Sequence, residues 1–185
     1  MGLGIGKIAR EQAKSMHRIP FALLVFWCAA VPAVRAQDVC KNVLDAGERL
    51  TTTPHHGYMT RVRGNKQELL EDISVDGAIY IQINGKWRKS PLTVQDRLKQ
   101  QQENRASAKN TSCRHVRDEA VNGEPTDVYS VHAENEGITS DSMVWISKSK
   151  NQILRQEEDI DETDTKFHES VRYEYTNVAA PPVSR

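Results

Sequence analysis

Histidines are the side chains of this sequence most suited to binding a metal or moving a proton near neutral pH. Those after residue 36 are His55, His56, His115, His132 and His168. None stands at a recognised metal-ligand spacing, because no H-x-x-E-H or C-x-x-C element accompanies them and two adjacent histidines do not easily bind one ion. We therefore interpret all five as surface or loop residues and predict no metal site.

The acidic residues are concentrated between residues 157 and 164. The cluster consists of Glu157, Glu158, Asp159, Asp161, Glu162 and Asp164. It lacks the alternating ligands and the glycine of a calcium loop, so we interpret it as a solvated turn. The sequence also lacks a G-x-S-x-G element, a phosphate-binding glycine loop and a dinucleotide fingerprint. We therefore predict a protein that is not an enzyme and that needs no cofactor.

Two cysteines, Cys40 and Cys113, follow residue 36. An even pair in an oxidising compartment predicts a disulfide, with two free thiols as the alternative. Closing a loop of some seventy residues would stabilise the fold by about 4 kcal/mol in the chain-entropy model.

An apolar segment near the N-terminus predicts export. Residues 19–34 are mostly apolar, follow the basic residues Lys7, Arg10, Lys14 and Arg18, and lead into Val34-Arg35-Ala36. This order is typical of a secretory signal peptide, here cleaved after Ala36, with Met16 as an alternative start. The apolar run is shorter than the roughly 20 residues that span a bilayer, which argues against a retained anchor. We expect a periplasmic protein that is at most peripheral to a membrane.

The composition after residue 36 limits the classes of partner. Residues 1–36 hold five Lys or Arg and one Glu, so the remaining 149 residues carry 20 basic and 24 acidic side chains. Without a basic excess, no nucleic-acid partner is expected. The size suits a single domain, which we place at residues 37–178 with a frayed tail at 179–185, and we expect a monomer.

The elements that must position these side chains are strands of a meandering antiparallel sheet. Residues 76–91 read D-G-A-I-Y-I-Q-I-N-G-K-W-R-K-S-P, in which two turn dipeptides bracket a strand. Ser90-Pro91 suits the start of a helix over 91–107, and a short helix is predicted over 38–50. Further turn signals predict about eight strands, divided by the central helix.

The hairpin register assigns a side to each residue if every loop has two residues. One face then collects mostly apolar residues, which predicts the core face: Tyr58, Thr60, Val62, Leu69, Ile73, Val75, Ala78, Tyr80 and Trp87. Ile79, Ile81 and Ile83 fall on the other, largely polar face. Either a helix covers them, or a bulge brings Trp87 to their side, or they form a surface that docks a partner.

These patterns predict an α+β fold. We expect a strongly curved antiparallel sheet, an incomplete barrel of about eight strands, with a short N-terminal helix and one central helix. Such a sheet either packs its core solidly or leaves a concave apolar cavity. The aromatic candidates to line that cavity are Tyr58, Tyr80, Trp87, Trp145, Phe167 and Tyr173, with Tyr175 beside them on the last strand.

Several segments taken together resemble a known family. A signal peptide, a short helix, Y-I-Q-I-N-G-K-W, a helix, and then V-N-G-E-P-T-D-V-Y, M-V-W-I-S-K and V-R-Y-E-Y-T-N-V are similar to the LolA/LolB-like superfamily of periplasmic carriers. The resemblance implies an incomplete β-barrel, lidded by helices, that holds lipoprotein acyl chains or other hydrophobic ligands. The central helix is less apolar than such a lid. We therefore expect a distant relative that binds a hydrophobic ligand, or alternatively an interaction or sensor module with a solid core.

Overall fold

Nine antiparallel strands form one sheet in the computed structural model, which describes residues 34–108, 110–135, 137–163 and 165–183. The strands are β1 His55–Arg63, β2 Lys66–Val75, β3 Ala78–Ile83, β4 Lys86–Thr93, β5 Asn110–Val121, β6 Glu124–Asn135, β7 Ile138–Ser147, β8 Ile153–Glu162 and β9 Thr165–Glu174. Their order is β4-β3-β2-β1-β9-β8-β7-β6-β5, so β4 and β5 are edges and the sheet is not closed within the described residues. The predicted α+β class is confirmed, with nine strands where about eight were expected.

Within the described residues, two helices accompany the sheet, α1 Val34–Thr52 and α2 Val94–Ser107. The predicted signal peptide lies outside the described residues except for 34–36, which begin α1. Helix α1 continues through Gly47, although a glycine inside a helix lowers its stability. At Gly47 the side chain of Gln101 in α2 lies 2.9 Å from where a Cβ would stand. The glycine therefore allows the two helices to approach closely.

Helix α2 begins later than predicted because β4 continues to Thr93. Thr93 caps the helix: the backbone N–H of Asp96 donates to Thr93 Oγ1 at 3.2 Å, and the backbone N–H of Thr93 donates to Asp96 Oδ2 at 2.8 Å. All 14 residues of α2 are described, and none of them is buried. Val94 and Leu98 are half-buried, so α2 contributes no fully buried side chain to the core.

Short hairpin turns fix the strand register as predicted. Asp76, Asn84 and Asn122 have positive φ, and each is followed by a glycine. The expected pairs are all present: Arg61 with Glu68, Thr60 with Leu69, Ile73 with Tyr80, Val75 with Ala78, and Gln82 with Trp87. The pairing of Gln82 with Trp87 rules out the bulge that would have moved Trp87 to the isoleucine side.

The main apolar core lies between α1 and the second half of the sheet. Val43 and Ala46 of α1 pack with Tyr129, Val144, Ile146 and Ile153, and Tyr173 packs partly against this cluster. Cross-strand pairing places Tyr129 and Val144 on one face of the sheet. We call this the helix-side face and the opposite one the outer face.

Asp164 of the acidic cluster lies outside the described residues. The other five acidic residues lie not in a solvated turn but in strand β8. Its residues alternate between the two faces, as in any strand. Gln156 pairs with Val144 and Glu158 with Ser142, which places both on the helix-side face. Asp159 pairs with Asp141 and faces outward.

The predicted disulfide between Cys40 and Cys113 is present. It joins α1 to the edge strand β5 across 73 residues of sequence, with 5.1 Å between the Cα atoms. It therefore ties one end of the helix that forms the core to the far edge of the sheet.

Replacing both cysteines by serine should lower the free energy of unfolding by about 3 to 4 kcal/mol, because the unfolded chain regains the entropy of an open loop. Urea denaturation at pH 7 measures this value. Unfolding of the native protein in excess reductant is the control and should give the same loss. A difference below about 1 kcal/mol in both experiments would contradict the stabilising role of the disulfide.

Candidate functional site

Polar contacts hold α2 against α1. The Arg105 guanidinium donates to Glu48 at 2.6 Å and to the carbonyl oxygen of Leu44. One turn away, Thr51 Oγ1 donates to the side-chain oxygen of Gln101 at 3.3 Å. These side-chain and backbone contacts attach α2 to α1 through polar groups.

A charged contact joins α2 to the sheet. Arg97 Nη1 lies 3.7 Å from Asp72 Oδ2, and His55 Nε2 lies 3.6 Å from the same oxygen. The carboxylate of Asp72 lies over the backbone of Gly57, where a Cβ would stand 2.4 Å from Asp72 Oδ1. Gly57 therefore makes room for this acid on the helix-side face.

A groove of about 490 Å³ that is open to solvent, which we call the cavity, lies between the two helices and the sheet. Its apolar wall includes Leu44, Ala108, Val131 and Ala133, and its polar wall comes mainly from α2. The lining residues of polar or charged character are Thr51, Arg97, Gln100, Gln101, Asn104, Arg105, Thr111 and Glu158. This volume is in the range of small-molecule sites, but the lining is more polar than a typical lipid cavity.

Among the residues that line the cavity, Glu158 has a carboxyl group with a raised pKa. Burial raises the pKa of its carboxyl, and the nearby Glu169 carboxylate raises it further. Hydrogen bonds from Ser140, Gln156 and Ser142 act in the opposite direction but do not reverse the shift. Glu169 lies opposite Glu158 in the sheet. Glu158 therefore holds its proton to a higher pH than an ordinary glutamate does, and the protonated carboxyl can donate a hydrogen bond.

The carboxylate of Glu169 is paired with the guanidinium of Arg61. Arg61 Nε donates to Glu169 Oε1 at 2.6 Å across the β1–β9 pairing. The guanidinium carbon of Arg61 also lies 5.5 Å from the ring centroid of Phe167, and that of Arg63 lies 5.3 Å from it. The helix-side face beyond α2 thus carries paired charges and an aromatic ring between two cations.

The predicted cavity aromatics do not share one face. Phe167 and Tyr173 lie on the helix-side face, as does Val171 between them. The register places Tyr58, Tyr80, Trp87 and Trp145 on the outer face. There Tyr58 stacks on His56 with ring centroids 4.1 Å apart, and Trp87 lies 5.9 Å from the same imidazole. Trp145 is covered by Arg155 at 4.6 Å.

Burial raises the pKa of the Tyr173 and Tyr175 phenols. Tyr173 makes an edge contact with the His55 ring at 5.6 Å, and the Tyr175 hydroxyl donates to the carbonyl oxygen of Ile153. These contacts belong to the core beneath α1.

The three isoleucines lie on the helix-side face, because Ile79 pairs with Ser74 and Ile81 with Asp72. Their exposure rises along the strand. Ile79 is 1% exposed, Ile81 is half-buried and Ile83 is 44% exposed. The face that the sequence pattern predicts to be polar is therefore the one against which the helices pack, and the predicted core face is the outer face. The charged residues of the helix-side face are tolerated there because they pair with one another and with α2.

The five histidines that follow residue 36 all lie in strands, not in loops. His55 is 2% exposed, so its interpretation as a surface residue is wrong. It is buried because β1 starts there, next to Tyr173, with its Nδ1 2.9 Å from the carbonyl oxygen of Thr53. Sequence reasoning also missed Arg97 and Glu158 as cavity residues, and Asp72 as the acid next to Arg97. For Glu158, the alternation of β8 was the available signal.

Comparisons with known proteins show a distant likeness of fold. No protein-family model matches the sequence, and no curated protein matches it. The solved structure of MucB is 13% identical with a TM-score of 0.45, over 78% of this chain and 61% of MucB. Lipoprotein LppX from Mycobacterium tuberculosis is 11% identical with a TM-score of 0.40, over 78% and 97% of the chains. LprF from Mycobacterium bovis is 9% identical with a TM-score of 0.41, over 79% and 97%.

The described residues form an open antiparallel sheet with two helices against one face, which is the architecture predicted from the sequence. In the part of the chain that the structure describes, neither helix is long and apolar enough to cross a membrane.

Replacing Glu158 by glutamine should make the protein gain stability relative to the native chain as the pH rises above 4.5, the ordinary pKa of glutamate. The native carboxyl binds its proton more tightly when folded, so the native chain loses stability through this pH range and the amide variant does not. Urea denaturation between roughly pH 3 and pH 8 measures the difference, because this range extends to both sides of pH 4.5.

The matched control is Glu124→Gln, which should show the opposite sign. Hydrogen bonds from Ser147 and Ser149 hold the pKa of Glu124 below its usual value. The native chain therefore keeps this stabilisation above pH 4.5, and the variant lacks it. Equal pH dependence of the two variants would contradict the interpretation of Glu158.

Proposed function

We propose that this chain is a non-catalytic periplasmic binding protein whose ligand occupies the cavity between α1, α2 and the helix-side face. One observation carries the proposal: α2 lies over a cavity of about 490 Å³ without burying any of its own residues. A helix that serves only to complete a core normally presents an apolar stripe to it. A polar helix over a cavity is better explained as a cover for a ligand.

The lining favours an amphiphilic ligand. Leu44, Val131 and Ala133 offer an apolar wall, while Arg97 and Arg105 line the same space with positive charge. Arg105 is already paired with Glu48 at 2.6 Å, but the nearest carboxylate oxygen to Arg97 is 3.7 Å away, so Arg97 can take a closer anionic partner. A ligand with an apolar part and an acidic head, such as a fatty acid, would satisfy both walls.

The compartment fits this proposal. The Cys40–Cys113 disulfide is the kind of bond that persists in oxidising compartments. The apolar segment before α1 has the pattern of a secretory signal peptide. A monomeric carrier in the periplasm would meet both lipids and acylated proteins.

Replacing Ala133 by phenylalanine should weaken binding of a fluorescent fatty acid by at least about tenfold, because the new ring fills the apolar wall of the cavity. The control is Ala106→Phe, which places the same ring at an exposed position on α2. Fluorescence titration measures affinity, and native mass spectrometry of protein isolated from the periplasm reports bound lipid. Equal affinity of the two variants, or a native protein that neither retains nor binds any fatty acid, would overturn the proposal.

A second candidate function is the docking of a partner protein on Ile83. This side chain is 44% exposed, and half-buried Leu70 and Ile81 lie on the same helix-side face. Together they could receive an apolar segment of a partner.

For this candidate, Ile83→Lys should abolish capture of a specific partner from periplasmic extract while leaving thermal unfolding unchanged. The control is Leu69→Lys, since Leu69 is 75% exposed on the outer face. Capture that survives Ile83→Lys would eliminate this surface as the docking site.

A further inference from the structure

An irregularity in β5 brings three potential metal ligands together. His115 pairs with Tyr129 and Asp118 pairs with Asp127, with a register shift between His115 and Arg117. In a regular strand, residues three apart point to opposite faces. The extra residue, Val116, forms a β-bulge that places His115 and Asp118 on the same face as Asp127.

Both carboxylates approach the same nitrogen of His115. Its Nε2 lies 3.1 Å from Asp118 Oδ1 and 3.3 Å from Asp127 Oδ1. A ring nitrogen carries at most one proton, so it cannot donate a straight hydrogen bond to both oxygens. Ligand atoms about 3.3 Å apart are, however, the spacing expected around Zn²⁺ with bonds of about 2.0 Å in tetrahedral geometry. One ligand atom from each of the three residues lies within 4.8 Å of the others.

The arrangement differs from that at another histidine with two acidic neighbours. At His132, Asp141 contacts Nδ1 at 2.8 Å and Glu134 lies 3.4 Å from Nε2. These carboxylates lie at different ring nitrogens and cannot converge on one ion. A histidine between two acidic residues therefore does not always have both carboxylates at one ring nitrogen, as His115 does.

A cation already lies between the two carboxylates of the cluster. Lys148 Nζ is 2.7 Å from Asp118 Oδ2 and 3.2 Å from Asp127 Oδ1. The ammonium thus marks a position that favours positive charge, and a metal ion would compete with it. Lys148 is 40% exposed, so its side chain can turn into solvent when an ion binds.

Neighbouring groups restrict the position of the His115 imidazole. The ring of Tyr129, only 8% exposed, packs edge-on against His115 at 5.5 Å. Two residues before His115, Cys113 fixes β5 to α1. The side chains of His115 and Asp118 are 43% and 64% exposed, which leaves room for water as a further ligand.

We propose that His115, Asp118 and Asp127 form a binding site for a divalent transition metal ion, with Zn²⁺ as its representative. One imidazole nitrogen and two carboxylate oxygens suit Zn²⁺ better than Ca²⁺ or Mg²⁺, which take mainly oxygen ligands. The site is independent of the cavity between α1 and α2. Spacing in the sequence does not show it, because the bulge and the β5–β6 pairing create the cluster.

Isothermal titration with Zn²⁺, on the oxidised protein purified without a polyhistidine tag, tests the proposal. His115→Ala and Asp118→Asn should each weaken binding by at least about tenfold, since each removes a ligand. Lys148→Met should tighten it by about tenfold, because a competing positive charge is lost. The control His132→Ala should leave the affinity unchanged.

Circular dichroism and thermal unfolding without metal verify that each variant is folded. If His115→Ala misfolds, Asp118→Asn still tests the proposal, because Asp118 is exposed. The proposal is overturned if neither the native protein nor Lys148→Met binds Zn²⁺. It is also overturned if the folded ligand variants bind as tightly as the native protein, or if Lys148→Met binds more weakly.

Discussion

The burial of Val43 and Ala46 of α1 against the sheet is the interaction on which the helix side of this protein depends. These residues close the only core cluster found among the described residues, and burying a valine side chain stabilises a fold by about 1.5 to 3 kcal/mol. The Cys40–Cys113 disulfide holds the same helix at the β5 edge. Helix α2 has no buried residue of its own and is attached mainly through α1. If α1 moved, α2 and the cavity below it would move as well.

Charged pairs take the place of apolar packing on the part of the helix-side face that α1 does not cover. Arg61 pairs with Glu169, and Arg97 approaches Asp72. Such pairs keep polar groups compensated but do not fill space as branched apolar side chains do. Glu158 stands opposite Glu169, and burial favours its neutral form, which reduces the repulsion between the two carboxyls. The part of the sheet under α1 is thus packed, and the part under α2 is held open by polar contacts.

The strand meander could be predicted from the sequence because its signals are local. Asp76-Gly77 and Asn84-Gly85 specify turns of positive φ, and alternation then fixes the register. The identity of the helix-bearing face could not be predicted in this way. It depends on pairs such as Arg61 with Glu169, which are 108 residues apart and make charged residues acceptable in the interior.

The same limit applies to the candidate sites. Local composition suggests that β8 is solvated, whereas its central position between β7 and β9 half-buries Glu158. His115 and Asp118 have a spacing that points to opposite faces in a regular strand, and only the bulge at Val116 reverses this. Both features depend on how neighbouring strands pair and on where a bulge interrupts the pairing, which the composition of one strand does not show.

An open sheet must also protect its two edges from pairing with other chains. Strand β4 carries Lys86, Arg88, Lys89 and Pro91, which are unfavourable for further strand addition. Strand β5 is interrupted by the bulge at Val116 and tied to α1 by Cys113. The irregularity that protects this edge is therefore the same one that brings His115 to Asp118 and Asp127. A regular β5 would lose both properties together, which links the stability of the open sheet to the geometry of the proposed metal site.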